Sequence, residues 1–400
     1  MGFGKTVRAL GFWERALVSL LSLIAIIAFL YWVGALYLAN TEEVPEAGGA
    51  YTEGVAGQPR YVNPILSQTS DADADLVRLV FSGLYSYDAA GKLRPEVAES
   101  LEVSEDGKIY TARLKQGVFF HDGNEVTADD VAFTVQAIQS PANKSPLRQN
   151  WQAVDVRVVD RYTIVFELKK AYFGFPENLT VGILPKHLWS DISADKFILA
   201  DYNLAPIGCG PYRYADATRD SNGNILEYTL TAFEKYAGGA PYIAKLTFRF
   251  YPDESGLIDA YLRKEVMGMQ GISAEGVGRL SERKSTDIRE IATPRSFAVF
   301  FNQTTSVGLA FDEVRQAINM GTDRQAIIDT VLGGRGTEAR GPFLPFMTEF
   351  AADLAWPAYD RDAANRILDE KGWGRNADGI REKGETKLSI YMYGPDWPEL

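Results

Sequence analysis

The sequence predicts an α+β fold with α/β-type lobes, preceded by one membrane-spanning helix. In the first half of the chain, segments that alternate apolar and polar residues predict strands. In the second half, apolar residues at helical spacing lie between capping residues and glycines, which predicts helices. The chain has 400 residues, 46% of them hydrophobic. This exceeds the usual size of one domain, so we expect two or three lobes.

The N-terminal region contains an uncharged apolar run at residues 16–38. As a helix rising about 1.5 Å per residue, this run spans a bilayer core of about 30 Å. Basic residues precede it and acidic residues follow it: Lys5, Arg8 and Arg15, then Glu42, Glu43 and Glu46. By the positive-inside rule, residues 1–15 are cytoplasmic and the chain beyond the linker at 39–57 is extracytoplasmic. A cleavable signal peptide is the alternative, although its apolar region is usually shorter.

Alternation predicts strands in the first half of the chain. Residues 108–120 place Tyr110, Ala112 and Leu114 on one face, as expected for a half-buried strand. Residues 154–170 alternate on both sides of a turn, which predicts a hairpin.

An Asn222-Gly223 pair predicts the turn of another hairpin. The strand that follows this turn has Leu226, Tyr228 and Leu230 at alternate positions. We therefore expect these three side chains to share one buried face.

Residues 311–336 predict two helices in the second half. Val314, Ala317 and Ile318 form the apolar stripe of the first helix. Thr322 and Gln325 have the spacing of a capping box at the start of the second. The apolar residues expected to face inward from the second helix are Ile327, Ile328, Val331 and Leu332.

Residues 359–373 predict one more helix. Asp360 is the expected N-cap, and Gly372 is the expected stop signal. The residues on the side expected to be buried are Ala363, Ala364, Ile367 and Leu368.

Composition excludes some classes of function. The formal net charge is -12. An acidic chain without a basic stripe is not expected to bind nucleic acid, since binding requires lysine or arginine to displace phosphate counterions. The single cysteine, Cys209, cannot form an internal disulfide.

The stretch FFHDGNEVTADDVAFT (119–134) places His121 near four carboxylates and raises the question of a metal or catalytic centre. Asp129 and Asp130 are explained structurally, because they occupy the first turn of a helix whose expected N-cap is Thr127. A metal site would need another nitrogen or sulfur ligand, and His187 lies in an unrelated sequence context. We therefore expect His121 to belong to the scaffold.

Other chemical motifs do not predict a catalytic, metal or cofactor site. The DADAD segment at 71–75 resembles the start of a calcium loop, but Leu76 and Ser82 occupy the positions that require glycine and glutamate. The glycine-rich segments lack the spacing of phosphate-binding loops, and neither G-x-S-x-G nor H-E-x-x-H occurs. Nothing in these motifs indicates an active site.

Several ordered blocks together resemble one known family. The blocks are PRYVNP (59–64), VFSGLYSYDAAGKLRPEVAESLEVSEDGKIYTARLKQGVFFHDGNEVTADDVAF (80–133), APIGCGPYRY (205–214), VFFNQT with the helices that follow it, and YDRDAANRILDEKGW (359–373). They resemble the extracytoplasmic solute-binding proteins of family 5, which serve ABC importers of oligopeptides, dipeptides and nickel. Cys209 stands where the family usually has threonine.

The resemblance implies a two-lobed, periplasmic-binding-protein-like fold of the large peptide-binding type. The first lobe would span 58–255, with an inserted subdomain at 81–184, and the second would span 256–400. Members continue well beyond the position of Leu400, so we expect the second lobe to be incomplete. A hinge would close the lobes over the ligand.

The same resemblance implies a binding protein without a cofactor rather than an enzyme. Its ligand would be an oligopeptide or similar solute, bound as an added strand and delivered to an ABC permease. Binders of nickel chelates, haem or oligosaccharides share the fold and are alternatives. Another class is an anchored extracytoplasmic hydrolase, which would need two carboxylates across a cleft.

The resemblance also implies where the ligand binds. A first cleft strand would run through residues 61–64, including Tyr61 and Asn63, and into a polar segment with ligand-facing residues. The full set of expected ligand-binding residues is Tyr61, Asn63, Ser67, Gln68, Thr69, Tyr393 and Trp397. The alternatives are an ordinary polar loop for the first group and core packing for the two aromatic residues.

Overall fold

The computed structural model describes residues 11–42, 44–281, 283, 285–291, 296–339, 341 and 357–394. The chain divides into two compact units. The first contains Met1–Glu53 and Gln58–Arg249, and the second contains Gly54–Gly57 and Phe250–Leu400. Helices and strands occur in both, which confirms the α+β prediction.

The described part of the chain contains the following α-helices and strands. The α-helices are α1 Phe12–Asn40, α2 Asp71–Val80, α3 Ala128–Gln139, α4 Arg148–Trp151, α5 Phe175–Asn178, α6 Lys186–Trp189, α7 Glu254–Leu262, α8 Ala274–Ser281, α9 Asp312–Gly321, α10 Arg324–Val331 and α11 Arg361–Glu370. The strands are β1 Gly48–Ala56, β2 Tyr85–Tyr87, β3 Leu93–Pro95, β4 Ala98–Val103, β5 Ile109–Leu114, β6 Val154–Asp160, β7 Thr163–Leu168, β8 Tyr212–Arg219, β9 Ile225–Ala232, β10 Ile243–Tyr251, β11 Gly268–Met269, β12 Gly374–Arg375, β13 Arg381–Lys383 and β14 Thr386–Lys387.

The helix α1 contains the apolar run predicted to cross a membrane. It has 29 residues, and by length and composition it could span a bilayer, a criterion that a signal sequence near the N-terminus also satisfies. Its first turn is closed by the Gly11 N–H, which donates to the Glu14 carboxylate at 2.8 Å. The apolar N-terminal helix is thus present, and its role as an uncleaved anchor stays a prediction.

A four-stranded antiparallel sheet has the strand order β4-β5-β7-β6. Tyr110, Ala112 and Leu114 of β5 are all buried, which confirms the predicted alternation. The hairpin predicted at 154–170 is also confirmed, because β6 pairs with β7 in antiparallel register.

A five-stranded sheet has the order β11-β1-β10-β9-β8, and β8 and β9 form the predicted hairpin. Tyr228 and Leu230 are buried, but Leu226 is 46% exposed and Ile225 is buried instead. The ladder between β8 and β9 has a register shift at Thr218/Arg219, opposite this end of β9. Such irregularities change the local twist, so the prediction for Leu226 was wrong.

An aromatic cluster forms part of the core of the first unit. Trp151, Phe166 and Phe175 are buried, with ring centroids 5.7–6.1 Å apart. The ring centroid of Tyr110 lies 4.7 Å from that of Phe175. Edge-to-face and tilted contacts at these distances stabilise a core beyond the area they bury.

A helical cluster forms a core in the second unit. Its buried members are Leu309, Val314, Ala317, Ala364, Leu368 and Trp373. The predicted stripe of α9 is confirmed by Val314 and Ala317, while Ile318 is half-buried. The Asp360 carboxylate accepts the Ala363 N–H at 2.8 Å, as predicted for the N-cap of α11. Gly372 ends this helix in the left-handed conformation, with φ at +83°.

The start of α10 differs from the prediction. Its N-cap is Asp323, whose carboxylate accepts the Ala326 N–H at 2.9 Å. Thr322 instead donates its hydroxyl to the carbonyl of Ile318 in the preceding helix, at 2.7 Å. The capping interaction predicted for Thr322 was therefore wrong, because its hydroxyl is already used by α9.

The predicted apolar face of α10 is mostly uncovered. Ile328 is 8% exposed, but Ile327 is 51% and Val331 is 41% exposed. Leu332, which follows the helix, is half-buried. Amphipathic spacing gives the side of a helix that can be buried, and only a packed neighbour buries it.

Candidate functional site

A polar pocket of about 360 Å³ lies in the first unit, beside the segment that precedes α2. Its lining residues are Gln58, Arg60, Tyr61, Thr69, Ser70 and Asp73. Two of them, Tyr61 and Thr69, are among the predicted ligand-binding residues. The other four were not predicted from the sequence.

The cleft strand predicted at 61–64 is absent, because this part of the chain turns. The Asn63 carbonyl accepts the N–H groups of Leu66 and Ser67, each at 3.0 Å. The Asn63 side chain also accepts the Ile65 N–H at 3.1 Å. These bonds form an Asx-type turn, which leads into the 3-10 turn Ser67–Thr69. The strand prediction was therefore wrong for this segment.

Asn63 and Ser67 are buried in this structure, at 0% and 3% exposure. The Asn63 amide donates to the Asn203 side chain at 2.9 Å, and the Val62 N–H donates to the Asn203 carbonyl at 2.8 Å. Asn63 thus joins the turn to the segment around Asn203. A ligand-binding role for Asn63 and Ser67 stays a prediction.

Tyr61, Gln68 and Thr69 are the accessible members of the predicted group. Gln68 and Thr69 are exposed, and Tyr61 is half-buried. The Gln68 amide donates to the Pro64 carbonyl at 2.7 Å, which fixes the side chain along the turn. The turn therefore holds Gln68 beside Thr69, one of the pocket residues.

Asp73 holds the wall of the pocket together. It is 1% exposed, and its carboxylate accepts the Arg60 N–H at 2.7 Å. Ser70 is the N-cap of α2, and its hydroxyl accepts the Asp73 N–H at 3.3 Å. Burial raises the pKa of the Asp73 carboxyl, while hydrogen bonds from the N–H groups of Arg60 and Tyr61 oppose this shift. The Ser-x-x-Asp spacing of a capping box was the sequence signal that could have identified Asp73.

Gln58, another residue that lines the pocket, is held by hydrogen bonds to β9. Its amide nitrogen donates to the Ile225 carbonyl at 3.1 Å, and its amide oxygen accepts the Ile225 N–H at 3.0 Å. The side chain thus pairs with β9 as a backbone amide would. Both polar atoms of Gln58 are used by the scaffold.

The two aromatic residues predicted for the second unit do not line this pocket. Tyr393 is 90% exposed, in a segment without helix or strand. Trp397 lies outside the described residues. Ligand binding by Tyr393 and Trp397 stays a prediction.

The hydrogen bonds of His121 are those of a scaffold residue. Its Nε2 lies 3.1 Å from the Gly210 carbonyl, and its Nδ1 accepts the Gly208 N–H at 3.3 Å. Because a carbonyl can only accept, this arrangement requires the neutral tautomer with the proton on Nε2. The His121 N–H also donates to the Gly208 carbonyl at 2.8 Å. His121 therefore holds the Gly208–Gly210 loop.

Each of the four carboxylates near His121 has a structural partner. Thr127 occupies the predicted N-cap position of α3, although its hydroxyl donates to the carboxylate of Asp130 at 2.7 Å. The other pairings are Asp122 with His187 at 2.6 Å, Glu125 with Arg161 at 2.9 Å, Asp129 with Lys186 at 3.0 Å, and Asp130 with the backbone N–H groups of Thr127 and Lys186, each at 2.9 Å. Within the described part of the chain, no group of three His, Cys, Asp or Glu residues lies together in a way that could hold a metal ion.

Burial lowers the pKa of His121 to about 4, and the bond to the Gly210 carbonyl only partly opposes this shift. The unfolded chain, with an ordinary pKa near 6.5, then takes up a proton first as the pH falls. Stability should therefore fall as the pH decreases from about 6.5 towards 4, by up to about 1.4 kcal/mol per pH unit. Urea unfolding at pH 7, 6 and 5 measures this slope. His121→Gln should flatten this slope, and an unchanged slope in that variant would contradict the assignment to His121.

A search against known families matches residues 92–400 to the profile described as "Bacterial extracellular solute-binding proteins, family 5 Middle". Among curated proteins, the chain is 29% identical over 356 residues to the oligopeptide-binding protein AppA of Bacillus subtilis. This alignment covers 87% of the chain and 64% of the relative. The dipeptide-binding protein of Escherichia coli is 28% identical over 339 residues, covering 79% of the chain and 62% of that protein.

A solved structure shows the same fold. The Bacillus subtilis AppA structure, in complex with a nonapeptide, matches with a TM-score of 0.67 at 26% identity, covering 86% of this chain and 68% of that one. This similarity confirms the predicted fold class, that of the large peptide-binding periplasmic proteins. The chain spans less than two thirds of the length of both curated relatives. With more than half of its residues matched by the family profile, the chain belongs to the bacterial extracellular solute-binding proteins of family 5.

Proposed function

We propose that this chain binds peptides outside the cytoplasm as the substrate-binding component of an ABC importer. The observation that carries the proposal is the family match over residues 92–400. The names of the two relatives, an oligopeptide-binding and a dipeptide-binding protein, support peptides as the class of ligand.

The pocket of the first unit supports the same class of ligand. Tyr61 and Thr69 offer hydroxyl groups, and Arg60 offers a charged side chain, all on one polar surface. Peptides carry a hydrogen-bonding group at every backbone amide, so a polar surface of this kind can bind them with little dependence on their side chains. In this proposal Tyr61, Gln68 and Thr69 contact the ligand, and Asn63 and Ser67 shape the turn that presents them.

The proposal places α1 in the membrane as an uncleaved anchor. Its length and apolar composition support this role. Anchoring would hold the binding protein near its permease and raise its effective concentration there. N-terminal sequencing of the protein from membranes tests the anchor, and a mature N-terminus beyond residue 38 would show that α1 is a cleaved signal.

Peptide binding is tested by titrating the full chain, in detergent, with a mixture of di- to pentapeptides and recording its thermal unfolding. A ligand that binds only the folded state at 100 times its Kd stabilises it by about 2.7 kcal/mol, so the melting temperature should rise. Thr69→Trp fills the pocket and should weaken binding at least tenfold. Ser100→Trp, an exposed residue on β4, is the matched control and should bind like the wild type.

An unchanged melting temperature for the wild type at millimolar peptide would contradict peptide binding. Nickel–histidine chelate, haem and an oligosaccharide, tested in the same assay, then identify which other ligand of this fold stabilises the protein. Equal peptide affinity of Thr69→Trp and Ser100→Trp would place the binding site elsewhere.

A further inference from the structure

The polar groups of the pocket divide into those bonded within the protein and those that are available to a ligand. Both polar side-chain atoms of Gln58 are bonded to Ile225. The Asp73 carboxylate accepts hydrogen bonds from the N–H groups of Arg60 and Tyr61 and from the Ser70 hydroxyl. The strongest acceptor of the pocket is therefore already satisfied.

The available groups are hydrogen-bond donors. Within the described ranges of the chain, the Arg60 guanidinium and the hydroxyls of Tyr61 and Thr69 form no direct hydrogen bond or ion pair, and the guanidinium charge acts on the Asp73 carboxylate only at longer range, where it partly opposes the rise of its pKa. A guanidinium carries five N–H donors and no acceptor, and each hydroxyl can donate one more bond. The pocket thus offers a surplus of donors, and its one positive charge, on Arg60, lies in the same pocket as the Asp73 carboxylate.

From this surplus we infer that Arg60, Tyr61 and Thr69 form a subsite for a carboxylate of the bound ligand. The inference rests on the proposed function and adds the chemistry of one ligand group. A carboxylate has two acceptor oxygens in the plane that matches the donors of an arginine side chain, and such pairs are usually bidentate. Hydroxyl donors at its edge complete the coordination.

An ammonium group is the opposite possibility, with Asp73 as its partner. The structure opposes this, since Asp73 is 1% exposed and its carboxylate is used by the Arg60 backbone at 2.7 Å. Moving Asp73 towards a ligand would leave the N–H groups of Arg60 and Tyr61 without their acceptor, which opposes such a movement. Asp73 is therefore the residue that positions Arg60.

Three peptide probes separate the possible sources of the carboxylate. Tri-alanine has a free C-terminal carboxylate, tri-alanine amide has none, and Ala-Glu-Ala amide carries one on its side chain. The full chain in detergent should bind tri-alanine at least tenfold more tightly than tri-alanine amide by calorimetry. If the side chain is the source, Ala-Glu-Ala amide should recover the affinity lost by the amide.

Substitutions then test whether Arg60 causes the preference for a peptide with a free carboxylate. Arg60→Gln should bind free and amidated tri-alanine equally, and Arg60→Lys should retain part of the preference because the charge remains without the planar fork. Arg157→Gln removes one positive charge from an exposed position on β6 and is the matched control, so it should behave like the wild type.

The outcomes distinguish the subsite from the proposed function. If all three peptides bind the wild type equally and Arg60→Gln leaves their affinities unchanged, the carboxylate subsite is overturned while peptide binding stands. If no peptide binds the wild type, both fail. If tri-alanine amide binds more tightly than tri-alanine, the pocket recognises a different group and the donor argument is wrong.

Discussion

Replacing Gly208 by alanine is expected to lower the free energy of unfolding by about 3 kcal/mol, the upper part of the range for overpacked interiors. A Cβ atom at this position would lie 2.1 Å from the Val80 carbonyl oxygen and 2.8 Å from its carbon. Both are backbone atoms at the end of α2, so they cannot rotate away as a side chain could. The loop would have to shift, and its two hydrogen bonds with His121 would be strained.

Urea unfolding of the full chain, followed by circular dichroism, measures this loss. Cys209→Ala is the matched control in the same loop, because Cys209 is also buried but its substitution removes an atom without a clash. The control should cost about 1 kcal/mol, the scale for one buried methylene-sized group. A Gly208→Ala variant no less stable than Cys209→Ala would show that the loop has room for the extra methyl group.

The Gly208–Gly210 loop illustrates what a sequence can predict about a scaffold. Its resemblance to a family block identified the segment but not its contacts. His187 was set aside because of its sequence context, whereas the structure places it against Asp122, next to His121, at 2.6 Å. The bonds of both His121 ring nitrogens to this loop could not be predicted from the sequence, because Gly208 lies 87 residues away in the chain.

Local signals gave the most accurate predictions. The alternation of β5 and the N-cap at Asp360 depend on neighbours within a few residues, and both were confirmed. Predictions that depend on a distant partner were less accurate. Leu226 and Ile327 have suitable positions in their elements but are exposed, because burial requires a second surface that residue spacing does not specify.

The residues of the pocket also include some that were predicted from the sequence and some that were missed. Tyr61 and Thr69 were predicted from family resemblance, and both line it. Arg60 and Asp73 were missed because their importance comes from a backbone-to-carboxylate bond across a turn. From the sequence, the DADAD segment was compared with a calcium loop and rejected as one, but its place at the start of a helix was not predicted.

Replacing Trp373 by alanine should have the largest effect, a loss of about 3–5 kcal/mol in the stability of the second unit. Trp373 is 0% exposed, and its ring meets the ring of Phe311 edge-on at 5.3 Å. It lies in the core formed by α9, α11 and their flanking residues. Alanine would leave a cavity between two helices that the remaining side chains cannot fill without moving.

Trp373 also belongs to a polar network at the edge of this core. Its indole N–H donates to the Glu313 carboxylate at 3.3 Å, and the Lys383 ammonium donates to the same oxygen at 2.9 Å. The ammonium lies 5.0 Å from the Phe311 ring centroid. Trp373→Phe keeps an apolar ring but removes the indole donor, so its cost should be smaller, about 1–2 kcal/mol.

Hydrogen exchange with mass spectrometry on the full chain can show which helices and strands lose stability in Trp373→Ala. Trp373→Ala should speed exchange in α9 and α11, because both helices lose the side chain packed between them. The strands β5 and β7 of the first unit provide the internal reference and should exchange as in the wild type. Equal stability of Trp373→Ala and Trp373→Phe would contradict a packing role, since the two variants differ mainly in the volume that they leave empty. Faster exchange throughout both units would show instead that the second unit does not unfold separately from the first.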